Sequence, residues 1–325
     1  MFDWVIALFS ATHTAVFEAV VLPLVYELGL GGYAEQAFDW TELALIGLIE
    51  IALMVVVLGS LEKWRPVDVA ADAGATRVDM LYTALHRLGV IPLVLFVLLS
   101  PAVETLDGWL RMHDRVPVKL EDLWPGLHAW PIVSFCVYLL VLDFVDYWLH
   151  RAQHRANWWW ALHSLHHSQQ HMTFWTDDRN HLLDNVLMDG AFALVALLIG
   201  VPPAQFMLLI VASRTIESLS HANLRAGFGR VGKYLLVSPQ FHRVHHAIGV
   251  GHEGRTQGCN FAVLFPVWDV LFGTANFVND YPATGVRDQL AGRDYGRGFW
   301  AQQWFGLQRL FGKKNITTLS QRGSV

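Results

Sequence analysis

Four long apolar stretches dominate the first half of the 325-residue chain. They cover residues 4–29, 42–61, 80–101 and 129–149, and each contains few charged side chains. An α-helix needs about 20 mostly apolar residues to cross the hydrocarbon core of a bilayer. The pattern therefore predicts four transmembrane helices.

A fifth apolar stretch, at residues 185–219, is broken near its middle by the sequence Gly-Val-Pro-Pro at 200–203. Proline lacks an amide N–H and clashes with the preceding turn, so it ends or kinks a helix. We interpret this stretch as a helical hairpin that enters the membrane and returns to the same side.

The composition agrees with a membrane protein and narrows the function classes. Charged residues make up 16% of the chain, whereas soluble domains contain about 25%. The formal net charge of −5 gives no indication of a nucleic-acid partner. Two cysteines, Cys136 and Cys259, are too few for a disulfide framework, and both are expected to be plain thiols.

Three short stretches hold eight of the 16 histidines. They are His150-x3-His154, His163-x2-His166-His167 and His242-x2-His245-His246. Residues three and four apart share one face of a helix, and imidazole is a common metal ligand. Because one zinc site uses about four protein ligands, eight histidines suffice for roughly two metal ions.

The distribution of lysine and arginine predicts which side of the membrane the histidine boxes face. Cytosolic loops are enriched in both residues, and the connection 62–79 carries three of them whereas 30–41 carries none. Placing 62–79 in the cytosol puts all three boxes there, although the basic loop 102–128 opposes this orientation. We therefore predict an all-α fold, a multi-pass transmembrane helical bundle with a cytosolic, histidine-rich, metal-binding helical cap. The tryptophan run 158–160 is expected to lie at the membrane interface.

Two acidic residues, Asp143 and Asp146, lie on the same predicted helical face as the first histidine box. Carboxylates within a membrane helix are costly and are usually paired or functional. Metal-bound histidines commonly donate their second N–H to a carboxylate. We interpret both aspartates as groups that orient metal-binding histidines, with ion pairing to Arg151 or Arg155 as the alternative.

Further histidines lie outside the boxes. His221 follows the apolar hairpin at the predicted level of the site, so we predict that it is a metal ligand. His181, just before the hairpin, is interpreted as a ligand, an orienting residue or a helix end. His171 and His252 fall in polar loops and are predicted to lie at the surface.

Three function classes could use such a site: oxidation of a lipid, metal transport or binding, and zinc-dependent hydrolysis. Histidine-rich sites suit zinc, copper, iron and nickel. Transport would require ionisable ligands within the spans, whereas these histidines cluster at predicted helix ends. Hydrolysis needs only about three protein ligands, an open position and a general base. The surplus of histidines and the missing His-Glu-x-x-His motif count against hydrolysis, and a histidine cluster beside the membrane without a nucleophile motif suits redox chemistry on a lipid.

Several motifs resemble the fatty acid hydroxylase/sterol desaturase superfamily over about residues 130–280. The matching sequences are the boxes at 150–154, 163–168 and 241–246, the segments Arg-Asn-His-Leu-Leu-Asp at 179–184 and His-Ala-Asn at 221–223, and Asn260-Phe261 with Trp-Asp-Val-Leu-Phe-Gly-Thr at 268–274. The chain departs from the family at Leu182, where proline is usual.

This resemblance implies a non-haem centre of two Fe²⁺ ions that uses O2 to hydroxylate or desaturate a lipid. Two electrons would come from a separate reductase, ferredoxin or cytochrome, and zinc could replace iron. The predicted metal ligands are His150, His154, His163, His166, His167, His221, His242, His245 and His246. The additional candidates, as ligands or as residues that orient ligands, are His181, Asp143, Asp146 and Asn260.

We therefore predict a membrane-bound lipid hydroxylase with three parts. Residues 1–125 form N-terminal transmembrane helices, residues 126–280 a fatty acid hydroxylase-like catalytic domain, and residues 281–325 a cytosolic C-terminal tail. A desaturase of the same superfamily is the alternative within this class. A zinc-dependent membrane hydrolase and a metal-binding membrane protein are the alternatives from other classes.

Overall fold

The computed structural model describes residues 3–69, 72–115, 119–254 and 256–312. Its α-helices are α1 (Asp3–Val16), α2 (Leu22–Glu27), α3 (Ala34–Trp64), α4 (Ala73–Arg87), α5 (Val90–Met112), α6 (Leu120–Leu123), α7 (Pro131–Arg155), α8 (Asn157–His167), α9 (Leu182–Leu198), α10 (Pro203–His221), α11 (Gly229–Leu235), α12 (Pro239–His245), α13 (Val267–Leu271), α14 (Arg287–Leu290) and α15 (Phe299–Leu310). No β-strand occurs within these ranges, which confirms the predicted all-α fold.

Four helical segments of the described chain are long and apolar enough to cross a membrane. They are Asp3–Glu27, Gly31–Trp64, Val90–Met112 and Pro131–Arg155. Large apolar side chains project outward from them, for example Val56 and Val97, which are more than half exposed. Such a continuous exposed apolar surface suits lipid rather than water.

The third predicted span, 80–101, begins at the wrong residue. Residues up to Arg87 belong to α4, where His86 and Arg87 are buried against other parts of the protein. Gly89, with a φ of +78°, takes a left-handed conformation that glycine adopts without strain, and α5 follows. The apolar run in the sequence thus joins the end of a helix with one buried face to a helix of span length.

The predicted hairpin is formed by α9 and α10, which are joined by a turn at Gly200 with a φ of +62°. Proline at the first position of α10 is tolerated because the first amide N–H groups of a helix have no intrahelical partner. The hairpin packs on α7 around Tyr138, Leu142 and Leu209. Its insertion into the membrane stays a prediction.

The segment after residue 280 packs against the histidine-bearing part of the chain. Within α15, Arg309 Nε donates to the backbone oxygen of Ala161 in α8 (3.0 Å). The backbone oxygen of Gln303 accepts from His181 Nε2 (2.9 Å). Residues 281–312 are therefore joined to the predicted catalytic part by direct contacts. Residues 313–325 of the predicted tail lie outside the described residues.

Candidate metal centre

Two consecutive helices carry the first five box histidines. His150 and His154 lie one turn apart near the end of α7, and both are buried. Ala156 then takes an extended conformation (φ −86°, ψ 110°), which ends α7 and lets α8 start in a new direction. The last turns of α8 carry the other three, which are His163, His166 and His167.

The first histidine group draws on all three boxes. Its members are His150, His154, His163, His167 and His245, each buried and each offering a ring nitrogen within 4.8 Å of the others. In the described structure, the buried Nε2 atoms of His150, His163 and His245 have no hydrogen-bond partner. The Nε2 atoms of His154 and His167 lie 3.1 Å apart. Buried polar atoms are normally paired, so five converging nitrogens fit a metal ion.

The second histidine group consists of His166, His221, His242 and His246. The Nε2 atom of His221 lies 3.1 Å from that of His166 and 2.9 Å from that of His242. The Nε2 atoms of His242 and His246 are 3.1 Å apart. Zinc–histidine bonds are about 2.0–2.1 Å long, so two ligands at right angles lie about 3 Å apart. The spacing of this group therefore fits a second metal ion.

Two backbone carbonyl groups of one loop orient histidines of the first group. The Nδ1 atom of His150 lies 2.8 Å from the backbone oxygen of Phe261, and that of His245 lies 2.8 Å from the backbone oxygen of Cys259. Because a carbonyl oxygen only accepts, Nδ1 carries the proton and Nε2 presents its lone pair. Asn260, between the two carbonyls, has a φ of +57° and hydrogen-bonds other backbone segments. The structure places its side chain outside both groups.

Asp184 orients a third member of the first group. Its Oδ2 atom lies 3.0 Å from Nδ1 of His163. Its Oδ1 atom accepts from Gln153 Nε2 (2.8 Å) and from Trp159 Nε1 (2.7 Å). These three hydrogen bonds hold the carboxylate in one position, so Asp184 supports a ligand of the first group.

A buried arginine contacts the carboxylate that lies beside one histidine of the second group. The Nδ1 atom of His221 lies 2.8 Å from the backbone oxygen of Glu217 and 3.6 Å from Asp177 Oδ1. Arg87, which is fully buried, donates to Asp177 Oδ2 (3.0 Å) and Asp178 Oδ2 (3.2 Å), and it also reaches a carboxylate of α3. The charge network thereby fixes the loop that supports His221.

Burial keeps five of the imidazoles neutral. It lowers their pKa, and neighbouring imidazoles lower that pKa further because two adjacent imidazolium ions would repel each other. This holds for His166, His167, His242, His245 and His246. A metal binds neutral imidazole, so these residues need lose no proton at neutral pH.

Aromatic rings enclose the first group on one side. The ring of His252 stacks on Trp160, with centroids 3.5 Å apart and planes 5° apart. Trp160 also lies 4.8 Å from His154 and 5.2 Å from His167. The prediction that His252 lies at the surface is wrong, because its loop folds over α8 and half buries the ring. Within the tryptophan run, Trp158 is the most exposed, at 52%.

Other predicted site residues have different roles. Asp143 accepts from the backbone amides of residues 264 and 265 (2.8 and 3.1 Å) and from Trp268 Nε1 (2.8 Å). It therefore holds this segment, instead of a histidine or either of the arginines proposed above. His181 lies outside both groups and caps α9, which agrees with the helix-end interpretation. Asp146 lines a cavity, and His171 is half-buried rather than at the surface.

A cavity of about 590 Å³ between α5, α7, α9 and α10 reaches both histidine groups. Five histidines of the two groups line it, namely His150, His163, His166, His221 and His242, and His86 of α4 lines it as well. Much of the remaining wall is apolar and includes Leu95, Phe96, Leu99, Phe192, Leu209 and Ile210. Asp146, Asp189, Arg214 and Glu217 add ionisable side chains to the lining. The space can hold an apolar chain with one end beside the metal-binding nitrogens.

Residues 135–274 match the family described as Fatty acid hydroxylase. The chain belongs to the fatty acid hydroxylase superfamily. The matched region contains all nine histidines of the two groups, together with the loop and the carboxylate that orient them. A member of this family with four helices of span length is an integral membrane protein.

Named relatives of this fatty acid hydroxylase superfamily member share a modest fraction of residues. An alkylglycerol monooxygenase of Caenorhabditis elegans is 30% identical over 51% of this chain and 31% of its own length. The ornithine lipid hydroxylase OlsE of Rhizobium tropici is 27% identical over 94% of this chain and 90% of its own. The chain spans about a third of the length of the alkylglycerol monooxygenases that it matches. No solved structure matches it significantly.

Two supporting residues of this superfamily member were not found from the sequence. Asp184 ends the segment 179–184, and its place in that family-like motif was a signal that could have identified it. Arg87 gave no such signal, because it lies inside an apolar run and 90 residues before Asp177. Only the packing of α4 beside the loop at 177–178 brings its guanidinium to the second group.

Proposed function

We propose that this protein is an iron-dependent oxygenase that hydroxylates a C–H bond of a membrane lipid. The observation that carries the proposal is the cavity whose apolar walls end at both histidine groups. The reaction consumes the lipid, O2, two electrons and two protons, and it yields a lipid alcohol and water. The nine histidines would hold two iron ions, which would supply O2 activation and the removal of hydrogen from carbon.

The protein's own residues position both the ligands and the lipid. Asp184 and the carbonyl groups of residues 259 and 261 keep the Nε2 lone pairs aimed at the centre. Apolar side chains of α5 and α9 enclose the lipid chain and exclude water from the reacting carbon. Zinc suits the same donors, so zinc can occupy the site without supporting oxidation.

Hydroxylation is proposed in preference to desaturation because the named relatives are monooxygenases and hydroxylases. Their names state alkylglycerol and ornithine lipid as substrates, and a lipid of the membrane is the class that we infer for this chain. The electrons come from a separate protein, a reductase, ferredoxin or cytochrome. Nothing in the chain suggests a nucleic-acid partner.

We further propose that the metal centre faces the cytosol. The end of α3 lies beside the histidine-bearing part, since Arg225 N donates to the backbone oxygen of Arg65 (2.9 Å). Several basic side chains collect at this end, including Arg65, Arg225, Arg230 and Lys233. Positive charge at this end favours the cytosolic side.

The test is expression of the full chain in a bacterial host under isotopically labelled O2, followed by mass spectrometry of the extracted lipids. The wild type should place one labelled oxygen atom in a lipid, and His245→Ala should abolish this product while still accumulating in the membrane. A product that lacks the label but has lost two hydrogens would instead identify a desaturase. Unchanged product from His163→Ala and His245→Ala would contradict the assigned centre.

A further inference from the structure

A second cavity, of about 700 Å³, lies apart from the one that reaches the histidines. It is bounded by the end of α3, the turn before α11, α11 itself, the start of α12 and the segment near residue 280. Its lining residues include Arg65, Arg225, Arg230, Lys233, Phe277 and Tyr281. The proposed hydroxylase reaction makes no use of this cavity.

The charge of this cavity is strongly positive. Four of its lining residues are cationic: Arg65, Arg225, Arg230 and Lys233. Within the described ranges, no aspartate or glutamate lines the cavity, and no carboxylate forms an ion pair with these four side chains. The carboxylate of Asp280, just outside, accepts from the backbone N–H of Tyr281 (2.7 Å). Four cations around one cavity favour an anionic ligand.

Two of the cations are held in place by the protein. Arg225 donates from Nε to the backbone oxygen of Pro66 (3.0 Å) and from Nη2 to that of Val67 (3.2 Å). Its guanidinium lies 5.4 Å from the centre of the Tyr281 ring. Lys233 Nζ lies 4.9 Å from the ring centre of Phe277. Side chains fixed before a ligand arrives lose little entropy on binding it.

The surroundings of the cavity are those of a membrane interface. Arg65 directly follows Trp64, which ends a helix of span length and is 72% exposed. On α11, Val231 and Leu235 are 69% and 63% exposed, close in sequence to the cationic Lys233. Exposed apolar and aromatic side chains beside cations are typical of segments that lie at the headgroup level of a bilayer.

We propose that this cavity binds the phosphate group of an anionic membrane lipid. Arginine presents a planar set of N–H donors that matches phosphate oxygens, and lysine adds a point charge. Val231, Leu235 and Trp64 give the acyl chains an apolar surface that free phosphate cannot use. Gln240, which lines the cavity, lies two residues before His242 in α12. The bound lipid therefore anchors α11 and the start of α12 at the membrane surface.

The experiment measures binding to the full chain in non-ionic detergent at low ionic strength. The probes are short-chain phosphatidylglycerol, short-chain phosphatidylcholine, inorganic phosphate and polyglutamate, each titrated while binding is followed by microscale thermophoresis. Phosphatidylglycerol should bind at least tenfold more tightly than the other three. The variant Arg230→Gln/Lys233→Gln should lose roughly tenfold or more of this affinity. Neither side chain makes a hydrogen bond in the described part of the chain, so the variant should fold.

The matched control is Arg115→Gln/Arg297→Gln, which removes two exposed cations away from the cavity and should leave the affinity unchanged. Equal affinity for inorganic phosphate would assign the site to free phosphate and overturn the lipid. Binding of polyglutamate in place of phosphatidylglycerol would assign the surface to an acidic protein and would equally overturn it. Undiminished lipid binding by the cavity variant would refute the site, whatever the result for hydroxylation.

Discussion

Replacing Asp184 by asparagine should lower the affinity of the first histidine group for its metal ion, because the tautomer of His163 changes. Asp184 Oδ1 accepts from two side-chain donors, Gln153 and Trp159, so the amide oxygen of the new side chain would have to occupy that position. The amide NH2 then faces Nδ1 of His163, which lies 3.0 Å from the present Oδ2. Because an NH2 group donates, the His163 proton moves to Nε2 and blocks the lone pair that would bind the metal.

The loss of a carboxylate that supports a metal-bound histidine typically costs 10–100-fold in metal affinity, or about 1.4–2.7 kcal/mol. We expect Asp184→Asn to fall in this range at the first group and to leave the second group nearly unchanged. The assay dialyses the protein against graded chelator and counts the metal ions that each sample retains. One of the two ions should be lost at a 10–100-fold lower concentration of chelator than in the wild type.

Asp189→Asn is the control, because this residue lies on the same helix and makes no hydrogen bond to a histidine in the described structure. It should retain both ions as the wild type does. Retention of both ions by Asp184→Asn would refute the tautomer argument. Loss of both ions from the two variants alike would point to general unfolding instead.

Three further changes probe the surroundings of the centre. Arg87→Met leaves Asp177 buried without its cation and should lower the free energy of unfolding by about 3–5 kcal/mol, measured by thermal or denaturant unfolding; an unchanged midpoint would contradict the network. Burial lowers the pKa of His86 to about 4. Above pH ~6.5 this residue is neutral in both the folded and the unfolded chain and does not reduce stability. As the pH falls towards 4 only the unfolded chain binds the proton, so the free energy of unfolding decreases by up to about 3 kcal/mol. His86→Gln should remove this part of the acid sensitivity in unfolding curves recorded from pH 7 to 4. Gly306→Ala would make a Cβ overlap with Cδ2 of the buried His181 and should cost about 1–3 kcal/mol, whereas wild-type stability would show that the ring can move.

The set of metal-binding histidines could be predicted because the spacing of the histidines within each box determines which of them share a helical face. Residues three and four apart on a helix share a face, so each box already brings its imidazoles together. The division into two groups could not be predicted. His166 and His167 are adjacent in α8 and belong to different groups, as do His245 and His246. Which ring joins which group depends on how α8 and α12 meet, and that is set by packing.

The fold, too, could be predicted only in part. The lengths of the apolar runs predicted the spans, since an apolar run that crosses a bilayer must match its thickness. The prediction failed at residues 80–87, which belong to a separate helix that buries Asp79 and Arg87 on one face. The apolar residues at the end of that helix run directly into those of the next helix. Buried charges of this kind depend on distant partners, here Asp177 and Arg179, that no local pattern identifies.

The most direct test of the two-metal centre is elemental analysis of the full chain purified after expression in iron-replete medium. We predict about two iron ions per chain in the wild type. We also predict loss of one ion, the ion of the second group, when His242 is replaced by alanine. A wild-type protein that holds no transition metal, or a His242→Ala variant that keeps the full wild-type content, would contradict the two-metal centre.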